Sequence, residues 1–407
     1  MGHNDALRIS GGLTLFLAVG LTTAFAAPTR VIKVAAPDRD YRDYPVTVAI
    51  QAPEGAKTAN LIGEGGVRLA GQLWRDGTAT MLTFILPELK RGASAAYNVE
   101  FAPAAPAAPG IEIRKGEEAA EVLIGGQLFT RYIIAGAPKP YCYPVIGPYG
   151  DSVTRNYPMK EVEGERTDHP HHRSLWFTHG GVNGTDYWLE QEGKGGKETH
   201  RTFEAIESGP ALGRILARTD WVRPDGTKDC EDVRDLRFYN VAGGRLFDWT
   251  MTIHATEGPV TFTDTKEGTF GFRVAETMKV DAKKGGRIVN SRGQTDGETW
   301  GQPAEWCDYT GPVEGKTVGI AVFDHPQGFR HPTYWHVRTY GLFAANPFGL
   351  HDFKRDKNKQ LGEYTVPKGE SIAFRYRMWI HKGTTEEAGV AAVYDQFANP
   401  PSVTVEE

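Results

Sequence analysis

The chain has 407 residues, 40% hydrophobic and 24% charged, enough for two or three domains with substantial cores. Its 46 Lys and Arg against 51 Asp and Glu give a formal net charge of −5, which excludes the basic excess that holds nucleic acid by counterion release. Three cysteines (Cys142, Cys230, Cys307) without a C-x-x-C pair exclude a disulfide framework and a thiolate zinc or redox motif, and leave room for at most one disulfide.

Residues 1–26 read as a secretory signal peptide. The apolar run Leu13 to Ala26 ends in Ala24-Phe25-Ala26, a small-x-small cleavage pattern, and fourteen residues are too few to span a bilayer. No second apolar stretch of that length follows, so the mature chain is expected to carry no membrane span and to be periplasmic or secreted. Residues 27–101 hold short β-type runs between turn signals (VIKVAA, PVTVAIQ, ATMLTFIL), the pattern of a small β-sandwich. The Pro/Ala-rich stretch 102–110 (APAAPAAPG) reads as a semi-rigid linker. From 111 to 407 longer runs alternate apolar and polar positions. In Arg245 to His254, Leu246, Asp248, Thr250 and Thr252 oppose Phe247, Trp249, Met251 and Ile253. The expected fold class is all-β: a small N-terminal sandwich, then a large antiparallel sandwich closed by one C-terminal helix. That helix is expected from Thr384, where Thr384-x-x-Glu387 forms a capping box and Val390, Val393, Tyr394 and Phe397 stripe one face.

Standard catalytic motifs are absent: no G-x-S-x-G, H-E-x-x-H, P-loop or dinucleotide fingerprint occurs. The chemistry concentrates instead in Asp168 to Trp188 (DHPHHRSLWFTHGGVNGTDYW), where His169, His171, His172 and His179 fall within eleven residues, beside Arg173, Trp176, Asn183, Asp186 and Trp188. Imidazoles titrate near neutrality, ligate metals and donate to hydroxyls, so this density marks a candidate site. A second segment, Thr263 to Arg273, brings Asp264, Lys266, Glu267 and Arg273 to a Gly-rich turn. A third, Asp324 to Asn346, contains His325, His331, Trp335, His336 and Arg338; on a strand, Trp335 and His336 point to opposite faces. His254 and His381, each ending a strand, read as structural. Trp300, Trp306 and Tyr309 lie near turns, and flat aromatic faces among carboxylates and imidazoles suit a sugar ring.

The first of these segments, followed by DTKEGTFGFRVAETM, HPTYWHVRTYGLFAANPFG and YTVPKGESIAFRYRMWIHKG, resembles a family of exported bacterial proteins labelled "methane oxygenase PmoA". The likeness runs from about Ile111 to the C-terminal helix. Methane oxidation is not expected, because the membrane monooxygenase subunit of that name spans the bilayer several times. At fold level the second domain is similar to the galactose mutarotase-type β-supersandwich. That resemblance implies sugar binding or conversion, with a His as general acid and a Glu as base. Here His171 or His172 would serve as acid and Glu267 as the carboxylate, although Glu267 lies in mid-chain and the mutarotase motifs themselves do not match.

The leading expectation is therefore an exported enzyme acting on a carbohydrate or glycoside by hydrolysis, elimination or epimerisation. Its catalytic groups would be His171, His172, Glu267 and His336, with Arg173, Trp176, His179, Asn183, Asp186, Trp188, Lys266 and Arg273 binding substrate and no cofactor required. Two alternatives use the same residues: a divalent metal held by some of His169, His171, His172 and His179, or a carbohydrate-binding protein without catalysis.

Overall fold

The computed structural model describes Met1, residues 30–103 and residues 110–406. The proposed signal peptide (2–26) and most of the Pro/Ala linker lie outside the described residues. Strand makes up 51% of the structure and helix 6%, and the strands form antiparallel sheets as the alternating sequence predicts. No helix among the described residues is long and apolar enough to cross a membrane.

The N-terminal unit is one seven-stranded sheet that rolls around a core of Ile32, Val46, Leu61, Phe84, Leu86 and Val99. Its strand order is Tyr41–Ala49, Ala79–Leu89, Arg68–Asp76, Thr58–Gly63, Ser94–Ala102, Arg30–Ala35 and Ser402–Glu406. The last of these comes from the far end of the chain. Val34 pairs with Val403 and Ile32 with Val405, so residues assigned by sequence to the second domain complete the first domain's sheet.

The larger unit packs two eight-stranded sheets face to face. One runs Trp335–Val337, Leu342–Ala345, Gly268–Arg273, Leu175–His179, Tyr141–Val145, Gln127–Ile133, Ala119–Ile124, Ile111–Lys115. The other runs Lys197–Glu207, Leu212–Val222, Lys228–Tyr239, Gly244–His254, Ser371–Lys382, Lys316–Asp324, Trp306–Val313, Arg287–Asn290. Period-two alternation decides which residues enter the space between them. Phe247, Trp249, Met251 and Ile253 are buried there, while Asp248, Thr250 and Thr252 on the opposite face are only half-buried.

The capping box forms, with the Thr384 amide donating to Glu387 Oε2 at 2.8 Å and the Glu387 amide to Thr384 Oγ1 at 3.2 Å. Regular helix begins later, at Val390, and runs to Ala398. Its apolar stripe seals the outer face of the second sheet, Phe397 and Tyr394 packing on Phe323. The same seam docks the N-terminal unit: Trp74 packs against the adjacent guanidinium groups of Arg214 (4.6 Å) and Arg237 (5.0 Å). All three cysteines are free and buried.

Candidate functional site

The site lies on the outer face of the first sheet. Along Gly268–Arg273, Phe270 and Phe272 enter the core, which turns Thr269, Gly271 and Arg273 outward. The register then sets one row across five strands: Tyr141, Trp176, Gly271, Ala344, His336. Gly271 is required in that row, since a Cβ there would sit 2.8 Å from the Trp176 indole. At the row's end Trp335 points inward and donates its Nε1–H to the Ala304 carbonyl at 2.9 Å, so His336 faces out, the partition that strand geometry predicts.

Above this row the His-rich segment folds as a tight turn, the His172 amide donating to the His169 carbonyl at 3.0 Å. His169 and Ser174 adopt left-handed φ of 47° and 62°, a strain of about 1 kcal/mol or more each that surrounding contacts must offset. Buried Arg155 supplies many of those contacts. It donates to Asp168 Oδ1 (2.5 Å) and to the carbonyls of Tyr157, Arg166 and His169. The rings then pile up: Tyr340 on His169 (5.4 Å, 9°), His169 on His172 (4.8 Å, 11°), His172 on Trp176 (5.2 Å, 16°). Trp188 closes the base edge-on to Trp176 at 5.4 Å.

Electrostatics fix the protons of two rings. Arg273, fully buried, donates to Asp168 Oδ1 at 2.8 Å and faces His172 Nδ1 at 3.1 Å. A guanidinium can only donate, so His172 Nδ1 holds a lone pair and its proton sits on Nε2. His336 is the reverse. Its Nδ1 lies 2.5 Å from the Lys266 carbonyl, which can only accept, so Nδ1 carries the proton and Nε2 offers a lone pair. Both rings are held neutral. Burial, with His171 and Arg273 adding to it, pushes His172 well below its ordinary value. Burial takes His336 down to about 4, against the opposing pull of the Lys266 carbonyl and Glu267. Burial and the charge of Lys139 bring His171 to about 3. Partial burial would raise Asp168, but Arg273 and Arg155 prevail and hold it at about 2.

Beside His336, Lys266 pairs with Glu267 Oε1 at 3.1 Å, leaving Oε2 without a partner among the described residues. The turn between Trp335–Val337 and Leu342–Ala345 brings Arg338 and Tyr340 over the sheet. Arg338 lies 5.5 Å from the rings of both Trp300 and Tyr340. The indole Nε1 of Trp176, Trp188 and Trp300 and the Nε of Arg273 are buried donors without partners among the described residues. Buried donors are normally satisfied, so this concentration suits a ligand rich in oxygen acceptors.

The structure thus brings His171, His172, Trp176, Trp188 and Arg273 together, with Lys266, Glu267 and His336 reached through Tyr340 and Arg338. Others lie elsewhere. His179 sits on the inward face against Phe262 and Phe348, its Nε2 bonded to the Thr263 carbonyl at 2.8 Å. Arg173 is held by both oxygens of Glu190, which also takes buried Lys139. Asn183 bonds Asp229 and the Thr261 amide, and Asp186 caps the amides of Trp188 and Leu189. Asp264 is enclosed by the amides of His351 and Gly362. Asp168, Arg155 and Tyr340 were not singled out by sequence reasoning; each acts through partners remote along the chain.

For a metal, the rings of His169 and His172 stack face to face, an arrangement that does not converge their nitrogens on one point. Among the described residues no group of three or more His, Cys, Asp or Glu is placed to hold a metal ion.

A family model described as a family of unknown function, DUF6807, matches residues 119–395, which contain every site residue above. The chain belongs to that family. The description carries no activity and gives the methane-oxygenase label no support. No curated protein matches the chain. Among solved structures this DUF6807 member is similar to an α-mannosidase from Enterococcus faecalis V583 (10% identity, TM-score 0.40), covering 94% of this chain but only 46% of the mannosidase. It is also similar to a galactose mutarotase-like protein from Lactobacillus casei ATCC 334 (10% identity, TM-score 0.31, 67% of this chain and 100% of that one). A third likeness is to a putative aldose 1-epimerase from Klebsiella pneumoniae subsp. pneumoniae MGH 78578 (8% identity, TM-score 0.31, 88% and 97%). At these scores none of them speaks to the site.

Proposed function

We propose that the chain is an exported enzyme that moves a proton on a carbohydrate or glycoside, with His172 and His336 as a donor and acceptor pair and Glu267 as base. The observation that carries this reading is the opposite tautomers of the two rings, each fixed by a partner that permits only one. Neutral His172 would give its Nε2–H to a sugar oxygen and stabilise charge developing there, as a neutral imidazole does when burial prevents protonation. Glu267 Oε2 and His336 Nε2 would accept the proton taken from the sugar.

The carboxylates around the two rings differ in what holds them. Asp168 is consumed by two arginines and Glu190 by Arg173 and Lys139, which leaves Glu267. Hydrolysis by paired carboxylates needs two free groups roughly 5–9.5 Å apart. One free carboxylate among imidazoles suits epimerisation or elimination better, because both start from abstraction of a proton.

The test is NMR in D2O with a panel of aldoses and glycosides. Protein-dependent exchange of a carbon-bound proton, lost in Glu267→Gln, is expected. Saturable binding with neither exchange nor product would instead identify a non-catalytic carbohydrate-binding protein.

A further inference from the structure

The cations of the site are not all matched. Arg155 and Arg273 share Asp168, and Lys266 takes Glu267. Arg338 has no carboxylate within ion-pair distance and its side chain no hydrogen-bond partner among the described residues; its guanidinium lies against the rings of Trp300 and Tyr340. A guanidinium stacked on aromatic faces keeps its in-plane N–H donors free and pre-oriented, at little further entropy cost when an anion arrives.

The backbone that carries it is anchored. The Arg338 amide donates to the Leu342 carbonyl at 2.7 Å, and Tyr309 Oη donates to the carbonyls of Arg338 (3.3 Å) and Thr339 (3.1 Å). The uncompensated charge also runs against the whole molecule, whose net charge is −5. Near it lies a second donor without a partner, the buried Nε1–H of Trp300.

We infer that Arg338 receives a carboxylate of the ligand, so that the substrate class is an acidic sugar of the uronate type rather than its neutral counterpart. This rests on the carbohydrate reading above. Arg173, one of the cations the sequence places in the binding set, is occupied by Glu190. A planar guanidinium takes a carboxylate through two parallel N–H donors, a match that a neutral hydroxymethyl group cannot make.

The experiment is calorimetric titration of the full chain with matched pairs, glucuronate against glucose and galacturonate against galactose, and with succinate as a carboxylate without a sugar. One uronate is expected to bind about tenfold or more tighter than its neutral partner, with the advantage shrinking as salt is raised. In Arg338→Gln the ratio should collapse to about one, while Arg338→Lys, which keeps the charge without the fork, should retain part of it. Melting curves show whether each variant is folded.

Equal affinity within both pairs, or a ratio unchanged in Arg338→Gln, would overturn this inference and leave the carbohydrate reading standing. Succinate bound as tightly as the uronate would overturn the sugar class. Binding of no sugar of either kind would overturn both.

Discussion

A proton placed on a different nitrogen in each ring is what makes His172 and His336 complementary. Nitrogen-15 NMR of ring-labelled protein at neutral pH is expected to show Nε2–H for His172 and Nδ1–H for His336; the same tautomer at both would end the donor and acceptor assignment. If the assignment holds, Glu267→Gln and His336→Gln should each lower kcat on the identified substrate by about 10²–10⁴, with a smaller change in KM. Arg273→Met removes the group that fixes His172 and one of Asp168's two arginines, so it should both loosen the tautomer and lower the melting temperature. At this scale the sequence is half legible. Four histidines within eleven residues locate the cluster, yet composition alone does not say that His179 turns inward while Trp176 turns outward. That partition depends on which residues oppose Gly268 and Gly271 on the next strand. Nor does composition reveal that Arg173 is consumed, because Glu190 reaches it through the fold from seventeen positions away.

Strands are where the pattern speaks most clearly, since period-two alternation and burial of one face leave little freedom of register. The alternation across Gly244–His254 and the outward position of His336 follow from it directly. The helix is less legible. Its capping box forms as the sequence implies, but the chain turns through 385–389 before helix begins, and Gly389, at a φ of 62°, stands at its start. Two elements invite tests. Gly271→Ala pushes a methyl into the Trp176 indole and should cost about 1–3 kcal/mol of stability, as overpacking does, while disturbing the ring stack above. Gly341→Ala meets both a φ of 102° and Lys279 Cγ at 2.9 Å, so it should shift the turn that carries Arg338 and Tyr340. Urea unfolding compared with ligand binding in each variant separates damage to the sheet from damage to the site.

Across the whole molecule, protonation of buried imidazoles sets the acid limit. His179 and His336 are pushed to about 4 by burial, and His172 lies well below its ordinary value for the same reason. An unfolded chain binds those protons from about pH 6.5 downward, so stability present above that pH is lost progressively toward pH 4, each ring contributing at most about 1.4 kcal/mol per pH unit crossed. His381 has the opposite sign. Despite the downward push of burial, Asp308 and the Lys382 carbonyl raise it. Its contribution is full below the unfolded value near 6.5 and is lost as pH rises through the raised one. Melting temperature against pH is expected to peak near neutrality, and His381→Gln should flatten the alkaline side alone; an unchanged alkaline limb would remove His381 from the account. The strand Ser402–Glu406, paired along Arg30–Ala35, has a further consequence for synthesis. The ribosome completes Arg30–Ala35 early and Ser402–Glu406 only after both large sheets, so until then the first sheet lacks its seventh strand and Arg30–Ala35 is its edge. A nascent chain stalled before residue 402 therefore leaves Arg30–Ala35, with Ile32 and Val34, as the edge strand, and strand exchange between copies through that segment should be measurable in chains truncated before residue 402 and absent once Val403 and Val405 pair there.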